Sequence, residues 1–134
     1  MSGDVFLDSN VVIYTLDALD ERRETALRLV SAGGVVSAQV LSETANVARR
    51  KLHFDYPAIA NILAEISRSC EVLPISAETV RRALHIGERY GFSYFDALII
   101  ASARLAGCKI LYSEDLQHKQ VIDDELVILN PFLA

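Results

Sequence analysis

Four carboxylates are the residues of this sequence best suited to chemistry: Asp8 in VFLDSN, Glu43 in SAQVLSETANVARR, Asp96 in FSYFDALIIASARL and Asp115 in SEDLQ. Drawn together they repel, each like-charge contact costing on the order of 4 kcal/mol at about 4 Å in an effective dielectric near ~20, before relaxation. A divalent cation relieves that repulsion. Mg²⁺ and Mn²⁺ are hard ions that take oxygen ligands and commonly keep several waters, one of which can become a nucleophile. His118 is the histidine closest to these acids, and one imidazole beside four carboxylates makes a poor zinc set.

The elements around the acids explain how they would meet. Residues 4 to 8 read as a short buried strand with Asp8 at its carboxyl end, and KILYS as a later strand from which SEDLQ and Asp115 depart. In an open parallel sheet, ligands bind beyond the carboxyl ends of the strands. GGVVSA reads as the second strand, and Glu43 falls within two turns of the helix that follows, on a column with Gln39, Asn46 and Arg50 beside the apolar stripe of Val40, Thr44, Val47 and Ala48. Asp96 shares its helical side with Ile99, Ile100 and Ala103, an environment expected to disfavour its charge. Each acid also has a purely structural reading. Ser93 and Asp96 fit an S-x-x-D helix start, Glu43 can pair with Arg50, and Asp8 and Asp115 can satisfy turn donors.

The remaining periodicity predicts helices over 20 to 32, 39 to 52, 58 to 69, 77 to 90 and 94 to 106. EVLPIS adds a third strand stopped by Pro74, and LVIL a fifth near the C-terminus. The helices over 39 to 52 and 58 to 69, separated by the break at 53 to 57, predict a hairpin. Short apolar strands alternating with helices imply an α/β sandwich: a mainly parallel sheet of about five strands with helices on both faces. We expect residues 1 to 134 to form a single domain that buries roughly 70% of its unfolded surface.

Hydrophobic residues make up 51% of the chain and charged residues 23%, which suits a soluble globular protein and excludes disorder. The longest uncharged run, Leu29 to Ser42, is too short and too interrupted to span a bilayer, and MSGD does not open a secretory signal, so a cytoplasmic location with no membrane contact is expected. Cys70 and Cys108, without a CxxC or metal-ligand spacing, read as reduced core residues. A net charge of −5 argues against a non-specific nucleic-acid coat while leaving room for local basic clusters such as Arg49, Arg50 and Lys51.

FLDSNVVIY, SAQVLSETANVARRK, SYFDALIIASARLAGC and LYSEDLQH, in this order and spacing and followed by a short strand before NPF, resemble the PIN-domain ribonucleases, and among them the VapC-like toxins of toxin–antitoxin pairs. The resemblance covers nearly the whole chain. It implies a PIN-like fold and a Mg²⁺- or Mn²⁺-dependent endoribonuclease whose catalytic and metal-holding acids correspond to Asp8, Glu43, Asp96 and Asp115. Ser113 matches the family's Ser or Thr two places before the last acid, and Asn10 is placed to support the acids. The resemblance also implies an RNA substrate, a homodimer and a cognate antitoxin. Val11, Val12, Ile13 and Tyr14, with Ile59, Ile62, Leu63 and Ile66, are candidates for those protein contacts or for the core. Arg49, Arg50 and Lys51 are candidates for the RNA backbone, although basic residues at a helix end also complement its dipole. Where many members with a QH pair continue with Gly, this chain has Lys119.

Other readings fit less well. A haloacid-dehalogenase-type phosphatase needs D-x-D after the first strand, where this chain has Asp8, Ser9 and Asn10. A phospho-receiver needs an acidic pair there and a lysine after a late strand, whereas Lys109 precedes its strand. A housekeeping RNA-processing nuclease of the same family, and a binding module whose acids hold a structural ion, remain as alternatives.

Overall fold

The computed structural model describes residues 2–133. Strands β1 (Val5–Leu7), β2 (Val35–Ser37), β3 (Glu71–Leu73) and β4 (Ile110–Tyr112) occupy the predicted apolar runs, and β5 (Val121–Ile122) turns back onto β6 (Leu126–Leu129). The sheet runs β3-β2-β1-β4-β6-β5. Neighbours pair in parallel, as Phe6 with Val35 and with Leu111, except for the antiparallel β5–β6 hairpin. Phe6, Leu7, Val35 and Val36 are buried because both faces of a parallel sheet are covered, which is why these strands read as unbroken apolar runs.

The sheet therefore has six strands rather than about five. The additional strand, β5, has two residues, too few to show a period, and the turn after it holds Asp123 and Asp124 at φ of 52° and 57°. Aspartate enters that left-handed region more readily than most side chains.

Among the described residues six α-helices flank the sheet: α1 (Ser9–Tyr14), α2 (Arg23–Ser31), α3 (Ala38–Arg50), α4 (Tyr56–Ser69), α5 (Ala77–Tyr90) and α6 (Tyr94–Leu105). The first four pack on one another, α3 and α4 as the predicted hairpin, while α5 and α6 pair separately. The α5 helix begins at a capping box between Ser76 and Thr79 and stops at Gly91, whose φ of 79° ends the helix without a Cβ clash. In α6 every residue from Ala97 to Ala103 is buried, so this helix is apolar all round rather than striped. Cys70 and Cys108 are free and buried.

The α1 helix departs from the sequence reading. Its six residues span less than two turns, too short for a helical period to separate SNVVIY from a continuing strand. Val11 and Val12 on it are fully buried, and Ile59 and Ile66 on α4 nearly so, so these four belong to the core and not to a contact surface. Ile13, Tyr14, Ile62 and Leu63 remain partly exposed.

Lys119 has a φ of 72°, a conformation in which glycine avoids the crowding that any Cβ meets. Lys119→Gly is therefore expected to raise stability by about 0.5 kcal/mol, the relieved strain exceeding the extra entropy glycine loses on folding. Urea unfolding of both chains measures this, and a drop in midpoint would show that the Lys119 side chain stabilises the loop.

Candidate active site

Asp8, directly after β1, begins α1 as its N-cap and is 5% exposed. Its Oδ1 accepts from the Ser9 backbone N–H at 2.7 Å. Its Oδ2 accepts from Ser113 Oγ at 2.8 Å and from Asn10 Nδ2 at 3.4 Å. Asn10 Nδ2 also faces Ser113 Oγ at 3.3 Å and Asp115 Oδ2 at 3.2 Å, and Asn10 Oδ1 accepts from the Glu114 backbone N–H at 3.1 Å. Ser113 Oγ in turn accepts from the Asp115 N–H at 3.2 Å. Neighbouring β1 and β4 thus have their carboxyl ends tied together by Asp8, Asn10, Ser113 and Asp115, beside the point where strand order reverses around β1.

Burial pushes the Asp8 carboxyl up to about 6, a rise moderated by the Ser113 and Ser9 hydrogen bonds and reinforced by the charges of Glu43 and Asp115. Glu43, on α3, is half-buried and likewise raised, first by burial and then by the charges of Asp96 and Asp115, with Ser9 and Gln39 working against the rise. Its Oε1 is buried and has no hydrogen-bond partner. Glu43 therefore lies within electrostatic reach of Asp8, Asp96 and Asp115, and Asp8 within reach of Asp115.

Burial is deepest at Asp8, not at Asp96, because α1 starts directly after Asp8 and closes over it. Asp96 is half-buried in the first turn of α6, and Asp115 is exposed. Ser93 precedes that helix but makes no side-chain cap bond, so helix capping does not account for the S-x-x-D spacing. Among the described residues Glu43 has no ion pair with Arg50. His118 is occupied elsewhere: its Nδ1 accepts from the Asn130 N–H at 2.9 Å.

A second cluster adjoins the acids and was not legible in the sequence. Glu114 accepts from the Tyr14 hydroxyl and from Arg22 Nη1 at 3.0 and 3.1 Å. Arg22 also grips Asp20 at 2.8 and 2.9 Å and lies 3.9 Å above the Tyr14 ring. Burial, then Glu114, raises the Tyr14 phenol to about 12, and Arg22 holds Asp20 down to about 2. The cluster braces the Asp115 loop against α1. Its partners are separated by 92 and 100 residues, a distance at which no local pattern reports a contact.

The basic run divides. Arg49 donates to the Phe54 carbonyl at 3.2 Å and lies over the Tyr56 ring, so it serves the α3–α4 turn. Arg50 and Lys51 are exposed; Lys51 lines a cleft of about 280 Å³ with Asn10 and Asp115, and both line an adjoining one of about 180 Å³. A larger cavity, about 410 Å³, lies away from the acids between Arg82, Arg104 and Asp123, where the arginines are already paired with Glu78, Asp123 and Glu125.

The donor set is all oxygen, one buried Glu43 oxygen is without a partner, and the neighbouring carboxylates add to the rise that burial gives Asp8 and Glu43. These features fit a hard divalent cation. Among the described residues no three carboxylate, imidazole or thiol groups converge closely enough to enclose an ion by themselves. Mg²⁺ is commonly held by one or two carboxylates and completes its shell with water and phosphate.

A family profile described as PIN domain matches residues 5–123. Comparison with curated protein sequences gave no match. Among solved structures, Mycobacterium tuberculosis VapC20, described as a sarcin–ricin-loop-cleaving toxin, is 24% identical with a TM-score of 0.69, covering 83% of this chain and 89% of that one. A toxin–antitoxin complex from Klebsiella pneumoniae is 19% identical with a TM-score of 0.72, covering 96% and 98%. VapBC2 from Rickettsia felis, bound to a promoter DNA fragment, is 18% identical with a TM-score of 0.66, covering 92% and 96%. At these identities the likenesses are of fold.

Proposed function

The chain belongs to the PIN domain family, and from that premise we propose that it is a Mg²⁺- or Mn²⁺-dependent endoribonuclease, the toxin of a toxin–antitoxin pair. The observation that carries the reading is the grouping of Asp8, Glu43, Asp96 and Asp115 at one sheet edge, with Glu43 Oε1 buried and unpartnered. One or two of these acids would hold the cation directly and the others through its waters, and the cation when bound supplies an acidified water and neutralises charge on the phosphate. Asn10 and Ser113 fix the orientation of Asp8, and Asn10 also steadies Asp115. One of these carboxylates would take a proton from that water. Water would add to phosphorus as it gives up its proton, the P–O ester bond would break, and the proton held by the carboxylate would pass to the departing oxygen so that it leaves as the alcohol. Arg50 and Lys51, which line the adjoining cleft, would contact the substrate's phosphates.

The same reading takes residues 1 to 134 as one domain and includes a cytoplasmic location, a homodimer and a cognate antitoxin. Among the described residues no helix is long and apolar enough to cross a membrane. The toxin–antitoxin complexes among the structural neighbours support the antitoxin. Incubating the purified chain with structured RNA should give cleavage with Mg²⁺ or Mn²⁺ and none with chelator. Expression alone should arrest growth, and a small protein encoded by a neighbouring gene should restore it; a harmless chain that still cleaves RNA would favour a housekeeping processing enzyme. Millimolar Mn²⁺ should also raise the melting temperature by roughly 3–5 °C, as expected for an ion bound to the folded state at several times its dissociation constant. No shift with either ion would remove the shared cation site.

A further inference from the structure

The first turn of α6 keeps two aromatic side chains out of the core. Tyr94 is 39% and Phe95 66% exposed, although the helix is buried without interruption from Ala97 to Ala103. Their rings meet edge to face, centroids 5.3 Å apart. Gln39 Nε2 donates to the Phe95 carbonyl at 3.1 Å, which ties this turn to α3 one helical turn before Glu43. Phe95 directly precedes Asp96 in the same helical turn, so the backbone that carries the pair also carries one of the acids and is joined to the helix of another, Glu43.

The surroundings limit what can cover the pair. Glu43, Asp96 and Asp115 make this edge repel free phosphate, and Arg50 and Lys51 lie at the far end of α3, so a strand covering the aromatic pair gains no phosphate contact there apart from the cation. A nucleobase is neutral, planar and apolar on its faces, and an exposed ring can stack on it whatever its identity. The edge-to-face packing uses only part of the Phe95 surface and leaves the rest open. We infer that Tyr94 and Phe95 form a stacking platform for an unpaired nucleobase next to the phosphodiester at the acids. This rests on the ribonuclease reading and adds a preference to it: the favoured substrate is a single strand or loop whose base is free to leave its own stack.

Phe95→Trp keeps an aromatic ring at the position and places one tryptophan in a chain that has none. With Mg²⁺ present, its emission should be quenched by single-stranded oligoadenylate and unaffected by inorganic polyphosphate. Phe95→Ala should fold as the parent does and raise KM for single-stranded RNA roughly ten-fold, with a smaller change in kcat. Emission indifferent to oligoadenylate, in a chain that still cleaves RNA, overturns the platform. So does an unchanged KM in Phe95→Ala accompanied by a changed molecular mass in solution, which would assign the pair to a protein interface. If the parent neither binds nor cleaves RNA, the ribonuclease reading falls, and the platform with it.

Discussion

Asp96→Asn should reduce Mn²⁺-dependent RNA cleavage by roughly 100-fold or more while leaving the cation-free chain as stable as the parent, or more so. The substitution preserves shape and removes one negative charge beside Glu43, whose carboxyl is raised partly by Asp96. Losing a carboxylate from the first turn of α6 costs about 0.3–1 kcal/mol of favourable interaction with the helix dipole. Relief of repulsion from Glu43 offsets that cost. A capping role would predict a different result, namely retained activity with a small loss of stability, but Ser93 makes no side-chain cap bond for Asp96 to support. Cleavage and melting measured on the same cation-free and Mn²⁺-loaded samples separate the two roles. Cleavage near the parent rate would take Asp96 out of the catalytic set.

The helix α5 was legible to the residue, because Ser76 and Gly91 mark its ends and its apolar face recurs at helical spacing. The acids were legible as a group for a topological reason. Asp8 and Asp115 follow apolar runs, and parallel strands deliver whatever follows them to the same edge. The relative burial of the acids was not legible, since it depends on α1, whose six residues look like more strand. Asp8 consequently takes the desolvated position expected of Asp96. Ser9 was overlooked for the same reason: as the first residue of an unforeseen helix it is brought to both Asp8 and Glu43. The Tyr14–Arg22–Glu114 cluster shows a different limit. Glu114 adjoins Asp115 in sequence, yet its partners are fixed by how α1 and the segment before α2 pack against the loop after β4.

Asp8→Asn should abolish cleavage and at the same time stabilise the cation-free chain at neutral pH. With its carboxyl at about 6 in the folded chain against an ordinary 3.8, ionised Asp8 destabilises the apo fold by about 3 kcal/mol at pH 7. The sign follows from proton binding: between about pH 4 and 6 the folded chain binds more protons at this position than the unfolded chain. The stability gained by protonating Asp8 is thus complete below about 3.8 and lost as pH rises through about 6. Asparagine has no charge to desolvate, so the advantage of the variant should be small near pH 4 and grow toward pH 7. It should fall short of the full amount. The new amide Oδ1 can still accept from the Ser9 N–H, but its Nδ2 replaces an acceptor, so Ser113 Oγ must turn to accept and Asn10 Nδ2 loses a partner. A gain of about 1–2 kcal/mol at pH 7 is therefore expected, each lost hydrogen bond taking back on the order of 1 kcal/mol. Saturating Mn²⁺ should erase or reverse it, because the parent then gains ion-binding energy that the variant lacks. Urea unfolding of both chains at pH 4.5 and 7, with chelator and with Mn²⁺, measures each part. A variant less stable than the parent at pH 7 without cation would mean that the Ser9 and Ser113 hydrogen bonds outweigh burial, and that Asp8 serves the fold before it serves an ion.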